Sequence, residues 1–432
     1  MFFCHTFGVR LLVSMVKYTL CFSGGSMDKS LSVKSEGKGI TISLGRGPYQ
    51  NNGASPWYAY IGLGTTAQPL KFSFDTGSNF IWVTSSLCGS DTCHHYGDKE
   101  FVYDKSTSFS WISTKPIDVD FGPWGSMQVQ TGKDIFTLTP DILDQMDNGL
   151  VSVSSDIYLA QSYEGSQFEE LDWDGGIGIP STTELSDSLS MYRSFRAMAP
   201  SNKTEPTSFH FFQSLLDQGV VSSKCPYVTF LTDIDNKSGQ VEFGQLNQDY
   251  RENREYLFLP WDKYNAPYLW TSRITSLSIG DTQVIAPESI TSTPYFFALD
   301  TGSSQFKGDL DVMTTLYNIA TKTKEDLVIE IGETDSGNIG KLVVTSDMYD
   351  VLIEAGENRG EVIAQFQPME NADYIALVGS VLMDYLYTVY EFRVVQGEGE
   401  NCIIPVGMWI FNKEKGPKVI VTTQNKPARI FN

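Results

Sequence analysis

The chain has 432 residues, of which 41% are hydrophobic and 19% charged. That composition supports a buried core and argues against a disordered polymer. The net charge of −21 repels nucleic-acid phosphates and anionic lipid surfaces, so nucleic-acid binding is disfavoured. At about 150 residues per domain, the length predicts two or three folding units, and a protein of two lobes is the first expectation.

The first segment of the chain is apolar and free of acidic residues. Residues 1–26 faintly resemble a secretory signal, but Arg10 and Lys17 interrupt the apolar run. No other segment approaches the ~20 apolar residues that cross a bilayer. We therefore expect residues 1–38 to be an extension holding a signal or a short pro-region. The predicted location is outside the cell or in an acidic extracytoplasmic compartment, with the cytoplasm as the alternative.

Short strand-like segments follow this extension. Residues 58–64, 70–77, 269–280 and 387–395 are rich in β-branched and aromatic side chains, and Gly, Asn, Asp and Pro separate them. Helical periodicity is confined to a few pieces such as 208–219. The pattern predicts an all-β protein.

Cysteines and histidines give no metal-binding pattern. Cys88 and Cys93 bracket a short polar loop that brings the two sulfurs together in an oxidising compartment, while two unpaired thiols are the alternative. Cys225 and Cys402 fall in predicted strands, where pairing is one option and two buried free thiols are the default. The pair His94 and His95 is interpreted as exposed loop histidines, so no metal and no cofactor is expected.

An internal repeat is the most informative feature of the sequence. FSFDTGS (72–78) and FALDTGS (297–303) are nearly identical, and each follows an apolar strand. Apolar residues leading into glycine follow each copy, at DGGIGI (174–179) and IALVGS (375–380). We expect each lobe to hold one aspartate on a tight turn beside a second strand, with Gly178 and Gly379 permitting the close approach.

Two carboxyls held together in this way have a direct chemical use. Both cannot ionise cheaply, so they share one proton and one serves as acid while the other serves as base. The ionised member withdraws a proton from water while the protonated member polarises a carbonyl. The sequence therefore predicts hydrolysis of peptide bonds by water activated between Asp75 and Asp300.

These motifs resemble the pepsin-like family of aspartic proteases over roughly residues 40–411. The resemblance implies two β lobes related by an approximate twofold axis, joined by an interlobe sheet and separated by a cleft for an extended peptide. It also implies an acidic pH optimum. Carried over by position, it assigns catalysis to Asp75 and Asp300, support of the two loops to Thr76, Gly77, Ser78, Thr301, Gly302 and Ser303, a place beside the flap to Trp82, and a small disulfide to Cys88 and Cys93.

Two departures from the family bear on activity. The flap hairpin carries Phe121 and Trp124 at its tip and lacks the usual Tyr, whose hydroxyl helps to position substrate. Ser380 occupies a position that is usually Asp, which we expect to alter local support more than chemistry. Because of the missing hydroxyl, a pepsin-fold binding protein with little or no turnover is the alternative function.

The resemblance also sets the expected organisation and partners. The predicted parts are the N-terminal lobe at 39–225 with the first DTGS loop and the flap, the C-terminal lobe at 226–411 with the second loop, and a basic tail at 412–432. The expected partner is a peptide or protein substrate with apolar residues flanking the scissile bond, in pockets lined by residues such as Phe306. A statine-type inhibitor is expected to bind, and the protein is expected to be a monomer.

Overall fold

The protein is described here by a computed structural model. It covers residues 38–89, 92–120, 125–138, 151–182, 210–251, 255–287, 293–333, 338–396 and 401–422. Residues 1–37 of the predicted N-terminal extension lie outside the described residues, as do Phe121 and Trp124 of the predicted flap tip.

Strands dominate the described residues, which confirms the all-β prediction. The strands of the first part of the chain are β1 (Ile40–Arg46), β2 (Trp57–Leu63), β3 (Gln68–Asp75), β4 (Ile81–Thr84), β5 (Ser110–Asp120), β6 (Ser126–Thr137), β7 (Ser152–Glu164), β8 (Gly175–Gly178), β9 (Tyr227–Asp233), β10 (Ser238–Phe243) and β11 (Tyr256–Pro260). Those of the second part are β12 (Thr271–Ile279), β13 (Thr282–Ile285), β14 (Tyr295–Leu299), β15 (Phe306–Asp309), β16 (Leu327–Glu333), β17 (Asn338–Val344), β18 (Asp350–Leu352), β19 (Val362–Ala364), β20 (Phe366–Met369), β21 (Ile375–Val378), β22 (Leu386–Gln396), β23 (Asn401–Asn412) and β24 (Ile420–Thr422).

The helices in the described ranges are short, with one exception. They are a 3₁₀ turn (Tyr103–Lys105), α1 (Ser166–Glu169), α2 (Phe211–Asp217), α3 (Gln248–Arg251), α4 (Leu310–Thr323), α5 (Ser346–Tyr349) and α6 (Ser380–Met383). The Asp309 carboxylate caps α4 by accepting a hydrogen bond from the Val312 N–H. Buried Met313, Leu316 and Ala320 recur at helical spacing, so one face of α4 packs on the core. None of the helices in the described ranges has the length and apolar character of a bilayer crossing.

Two large sheets hold nearly all of the strands in the described residues. The first has 13 strands in the order β11-β23-β22-β9-β10-β1-β2-β3-β8-β4-β7-β6-β5, and the second has nine, built around β20-β15-β21-β14-β12-β16-β17-β24. In the first sheet, β1 pairs with β10 from Ile40 opposite Phe243 to Gly45 opposite Ser238. That pairing joins the start of the described chain to strands from beyond residue 226, and this part of the sheet forms the interlobe connection. Residues 420–422 of the expected tail pair with β17 at the edge of the second sheet.

Each lobe contains the same three-strand unit, as the internal repeat predicts. In the first lobe β3 runs parallel to β8, and β8 runs antiparallel to β4. In the second lobe β14 runs parallel to β21, and β21 runs antiparallel to β15. The two DTGS turns, 75–78 and 300–303, lie at the C-terminal ends of β3 and β14. They therefore occupy equivalent positions in the two three-strand units.

Candidate active site

The DTGS turns fold tightly because a neighbouring strand carries glycine where the turn approaches it. A Cβ on Gly178 would lie 2.6 Å from the Phe80 carbonyl oxygen, and one on Gly379 would lie 2.2 Å from the Ser303 carbonyl oxygen. Real Cβ atoms do not approach backbone so closely, so these positions require glycine. The predicted role of the two glycines is confirmed.

Threonine hydroxyls tie the two turns together. The Thr76 N–H donates to the Thr301 hydroxyl at 3.0 Å, and the Thr301 N–H donates to the Thr76 hydroxyl at 3.0 Å. The hydroxyls in turn donate to carbonyls of the opposite lobe, Thr76 to Leu299 at 2.9 Å and Thr301 to Phe74 at 2.6 Å. This reciprocal set of four bonds fixes the position of one turn relative to the other.

The aspartates meet across this junction. A Cβ on Gly302 would lie 2.4 Å from the Asp75 carboxyl carbon, and one on Gly77 would lie 2.5 Å from Oδ1 of Asp300. Each carboxyl therefore packs directly on the glycine of the other turn. The structure brings together residues that are far apart in the sequence, and it places them at the junction of the two lobes.

Hydrogen bonds fix each carboxyl further. Oδ1 of Asp75 accepts from the Gly77 N–H at 2.8 Å, and Oδ1 of Asp300 accepts from the Gly302 N–H at 3.1 Å. The Ser303 hydroxyl donates to Oδ2 of Asp300 at 2.5 Å. Donors of this kind favour a charged carboxylate over a neutral one.

The two carboxyls influence each other strongly. Removal from water, the charge of Asp300 and a hydrogen bond to Asp300 raise the pKa of Asp75 to about 8, against the opposing effect of the Gly77 N–H and the Ser78 hydroxyl. Two carboxyls that resist simultaneous ionisation retain one proton between them. The pair is thereby able to act as acid and base on one substrate.

Trp82 and the strands of the expected flap both belong to the first sheet. Trp82, on β4, is 5% exposed and makes an edge-to-face contact with Phe168, with ring centroids 6.5 Å apart. Strands β5 and β6 form an antiparallel hairpin that ends at the pair Asp120 and Ser126. The hairpin of the expected flap is present, while the predicted contributions of Phe121 and Trp124 at its tip lie outside the described residues.

Phe306 does not line the cleft as the sequence analysis expected. Its ring is 2% exposed and stacks on Phe366 with centroids 5.3 Å apart, inside the hydrophobic core. Side chains alternate along a strand, so Lys307 faces the opposite way, and Gln305, just before the strand, lies with it against Gly53. Both are polar and buried, at 5% and 4% exposure.

The disulfide between Cys88 and Cys93 is present. The loop beyond it corrects the interpretation of the histidines, because only His94 is exposed. His95 is buried, and its Nε2 lies 3.0 Å from Oδ1 of Asp174, while the Tyr163 hydroxyl lies 3.0 Å from its Nδ1. The spacing of the sequence gave no sign that this loop folds back onto the first lobe.

Cys225 carries a free thiol and is exposed, so the expectation of a buried thiol at this position is wrong. It lies just before β9, where the chain reaches the surface. In the ranges that the structure describes, no group of three or more His, Cys, Asp or Glu side chains is arranged to hold a metal ion.

Behind the second turn lies a small cavity of about 30 Å³ lined by Ser380, Thr301 and the buried carboxyl of Asp384. The Trp57 indole N–H donates to Asp384 at 2.7 Å, and the Thr232 hydroxyl donates at 3.0 Å. Burial raises the pKa of Asp384 to about 6. The Ser380 N–H donates to the Ser303 carbonyl at 2.9 Å, so Ser380 supports the second turn through its backbone.

Comparison with known proteins agrees with this geometry. The family model for "Eukaryotic aspartyl protease" matches residues 56–396. The chain belongs to the eukaryotic aspartyl protease family. Its place in that family accounts for the pair of DTGS turns and for the two β lobes that carry them.

Relatives of this aspartyl protease family member are distant. Pepsin A of Bos taurus is 21% identical over 368 residues, covering 83% of this chain and 86% of the relative. Plasmepsin VIII of Plasmodium berghei (strain Anka) is 20% identical over 385 residues, covering 85% and 91%. Aspartic protease 3 of Toxoplasma gondii is 25% identical over 256 residues, covering 58% of this chain and only 34% of the longer relative.

Lys307, a residue near the aspartyl protease site, was not identified in the sequence analysis. Lys307 follows Asp300 by the same seven positions as Trp82 follows Asp75. The two DTGS repeats therefore hold an indole and an ammonium at matching places. Aligning the repeats beyond the heptapeptide would have found this difference.

Proposed function

We propose that this chain is an aspartic endopeptidase that works at acidic pH. The observation that carries the proposal is the packing of the Asp75 and Asp300 carboxyls on each other's glycine turns, with hydrogen-bond donors on both. Such a pair holds a water molecule where one carboxylate removes its proton. The other, protonated carboxyl donates a hydrogen bond to the peptide carbonyl, and a tetrahedral intermediate forms without a covalent enzyme adduct.

The two carboxyls then exchange roles. The carboxyl that gained the proton from water delivers it to the leaving amine, and the peptide bond breaks. At the end of the cycle the pair again holds the number of protons with which it began. This cycle works only when the two carboxyls share one proton at the start. Thr76, Gly77, Ser78, Thr301, Gly302 and Ser303 are proposed to hold this geometry, and the hydrogen bonds described above support that assignment.

We propose apolar residues on both sides of the scissile bond. The support is the aromatic character of the hairpin tip in the sequence, where Phe121 and Trp124 stand. A substrate in a cleft of this kind lies as an added strand whose alternate side chains enter pockets. Cleavage-site sequencing of a peptide mixture tests the preference.

The disulfide between Cys88 and Cys93 supports secretion or an acidic extracytoplasmic compartment as the location. Trapping of free thiols in intact cells tests this, because a reduced pair would contradict it. For oligomeric state we propose a monomer, which light scattering of the purified chain tests.

The deciding experiment is cleavage of a denatured protein by the purified chain between pH 2 and pH 7. Asp75→Asn and Asp300→Asn each remove one ionisable carboxyl, while Asp311→Asn changes an exposed aspartate on α4. We expect acid-optimal cleavage that the first two changes and a statine-type inhibitor abolish and that Asp311→Asn leaves intact. Inhibitor binding without cleavage by the folded chain would instead favour the binding-protein alternative.

A further inference from the structure

The two active-site repeats differ sharply at one position. Seven residues after Asp75 the first repeat has Trp82, and seven residues after Asp300 the second has Lys307. Both side chains are buried, at 5% and 4% exposure. Burying a lysine ammonium costs folding free energy unless its charge is compensated. The presence of a buried lysine beside an active site therefore needs an explanation.

Strand register places Lys307 on the face of the sheet that carries Asp300. Phe306 pairs with Val378, which pairs with Leu299. The side chains of these three paired residues all pack in the core. Lys307, the next residue of β15, pairs with Leu377 of β21. Because residues alternate along a strand, Lys307 projects from the opposite face, the one that Asp300 also occupies, one residue beyond Leu299.

The neighbourhood of Lys307 connects it to the second turn. A Cβ on Gly53 would lie 3.0 Å from Cε of Lys307, 3.1 Å from Oε1 of Gln305 and 3.0 Å from Oε1 of Gln367. The Gly53 carbonyl accepts a hydrogen bond from the Ser304 N–H at 3.0 Å. The lysine side chain therefore lies against a segment that is hydrogen-bonded to Ser304, the residue that follows the DTGS turn.

Both active-site carboxyls act electrostatically on Lys307. Burial lowers the pKa of Lys307 to about 8, and the charges of Asp300 and Asp75 oppose that change. The other neighbours named above are amides and backbone. Tyr390, beneath the turns, has its hydroxyl 3.5 Å from that of Thr76 and a raised pKa through burial, so it is neutral wherever Lys307 is charged.

We propose that Lys307 is a positioning residue that holds a positive charge beside the Asp75–Asp300 pair and extends its activity to lower pH. This inference rests on the proposed function. A cation favours ionised carboxylates. With Lys307 protonated, the pair reaches its singly ionised, active form at a lower pH and also loses its last proton at a lower pH. The whole bell-shaped activity profile therefore lies further to the acid side than it would without the lysine.

The primary test is the pH profile of kcat/KM for variants at this position. Lys307→Met and Lys307→Gln remove the charge, while Lys307→Arg keeps it. We expect the neutral variants to move both limbs of the profile upward by about one pH unit, with about a tenfold loss of kcat/KM on the acid limb. We expect Lys307→Arg to keep the wild-type profile. A structural defect alone would lower kcat or stability at every pH and leave the limbs in place.

The matched control is Lys413→Met. Lys413 is partly buried. Its ammonium donates to the Asp384 carbonyl, and burial lowers its pKa against the opposing charges of Asp384 and Asp233. We expect unmoved limbs in this variant. Equal shifts in Lys413→Met and Lys307→Met would overturn the proposal, since they would trace the effect to lost packing.

A second measurement does not depend on turnover. By reciprocity of the charge interaction, neutralising both carboxyls in the double variant Asp75→Asn and Asp300→Asn lowers the titration midpoint of the Lys307 ammonium. Nitrogen NMR of labelled lysine side chains, with the Lys307 signal assigned by its loss in Lys307→Arg, measures that midpoint. An unchanged midpoint would refute the inference.

The outcomes separate the inference from the proposed function. An active wild-type chain whose limbs do not move in the neutral variants refutes the role of Lys307 and leaves the endopeptidase proposal standing. A wild-type chain without activity refutes the endopeptidase proposal and the catalytic consequence of Lys307, even where the NMR midpoint shows the charge interaction.

Discussion

Thr76 and Thr301 each accept a hydrogen bond from the other's backbone N–H, both at 3.0 Å. The bonds run in both directions between the lobes, so neither turn can shift without breaking a bond of the other. A protein that needs two carboxyls in contact must hold two separate β lobes in register, and these bonds do so at the point of contact.

Replacing Thr76 by Val keeps the shape of the side chain and removes its hydroxyl. The Thr301 N–H then loses its acceptor and the Leu299 carbonyl loses a donor, and we expect a loss of about 1 to 3 kcal/mol in the free energy of unfolding. Activity should fall as well, because the carboxyls no longer keep their relative position. Thr76→Ser is the control that retains the hydroxyl. Urea denaturation and kcat measure the two effects, and a fully stable, active Thr76→Val would contradict the account.

Gly302→Ala and Gly77→Ala test the contact between the carboxyls and the opposite turns. A Cβ at Gly302 overlaps the Asp75 carboxyl, and one at Gly77 overlaps that of Asp300. We expect each change to separate the pair and to lower kcat/KM at least a hundredfold. Gly89→Ala is the control, since its Cβ meets nothing closer than the Thr92 hydroxyl at 3.7 Å. Full activity in Gly302→Ala would show that the carboxyls need no such packing.

The sequence was sufficient to predict the parts of the site that depend on local turns. DTGS and the later glycines specify tight backbone approach, so Asp75, Asp300, Gly178 and Gly379 were found from the repeat alone. The disulfide between Cys88 and Cys93 also followed from a short loop and a family resemblance. These features depend on neighbours in the chain or on an exact motif.

Features that depend on strand register were harder to predict. Phe306 is apolar and close to Asp300, yet its pairing with Val378 turns it toward the core. The same register sends Lys307 to the other face, and no composition rule predicts a buried lysine there. His95 was misjudged for a related reason, because its partner Asp174 lies on a distant segment.

Ser303→Ala tests the hydrogen bond to Oδ2 of Asp300. The hydroxyl favours the ionised pair, so its loss should move the acid limb of the activity profile upward by about half to one pH unit. Ser304→Ala removes the next buried hydroxyl, which is not among the described donors to Asp300, and should leave the limb in place. The check is kcat/KM between pH 2 and pH 6. A limb that moves equally in both variants would argue against a specific role for Ser303.

Stability should also depend on pH through Asp75. Its pKa is about 8 in the folded protein and 3.8 in an exposed aspartate. A raised pKa contributes stability that is fully present below the unfolded value and is lost as the pH rises through the folded value. Between pH 4 and pH 8 the free energy of unfolding should therefore fall, by up to about 1.4 kcal/mol per pH unit from this group.

Asp75→Asn removes this dependence because the amide carries no charge at any of these pH values. Denaturant unfolding of the wild type and the variant from pH 4.5 to pH 7.5 gives the two slopes, and we expect the variant's slope to be the shallower. Lys307 stays largely protonated over this range and adds little to either slope. Asp311→Asn should keep the wild-type slope, because that carboxyl is exposed. Parallel curves for the wild type and Asp75→Asn would mean that Asp75 is ionised across the range, so that the shared proton of the pair would lie on Asp300.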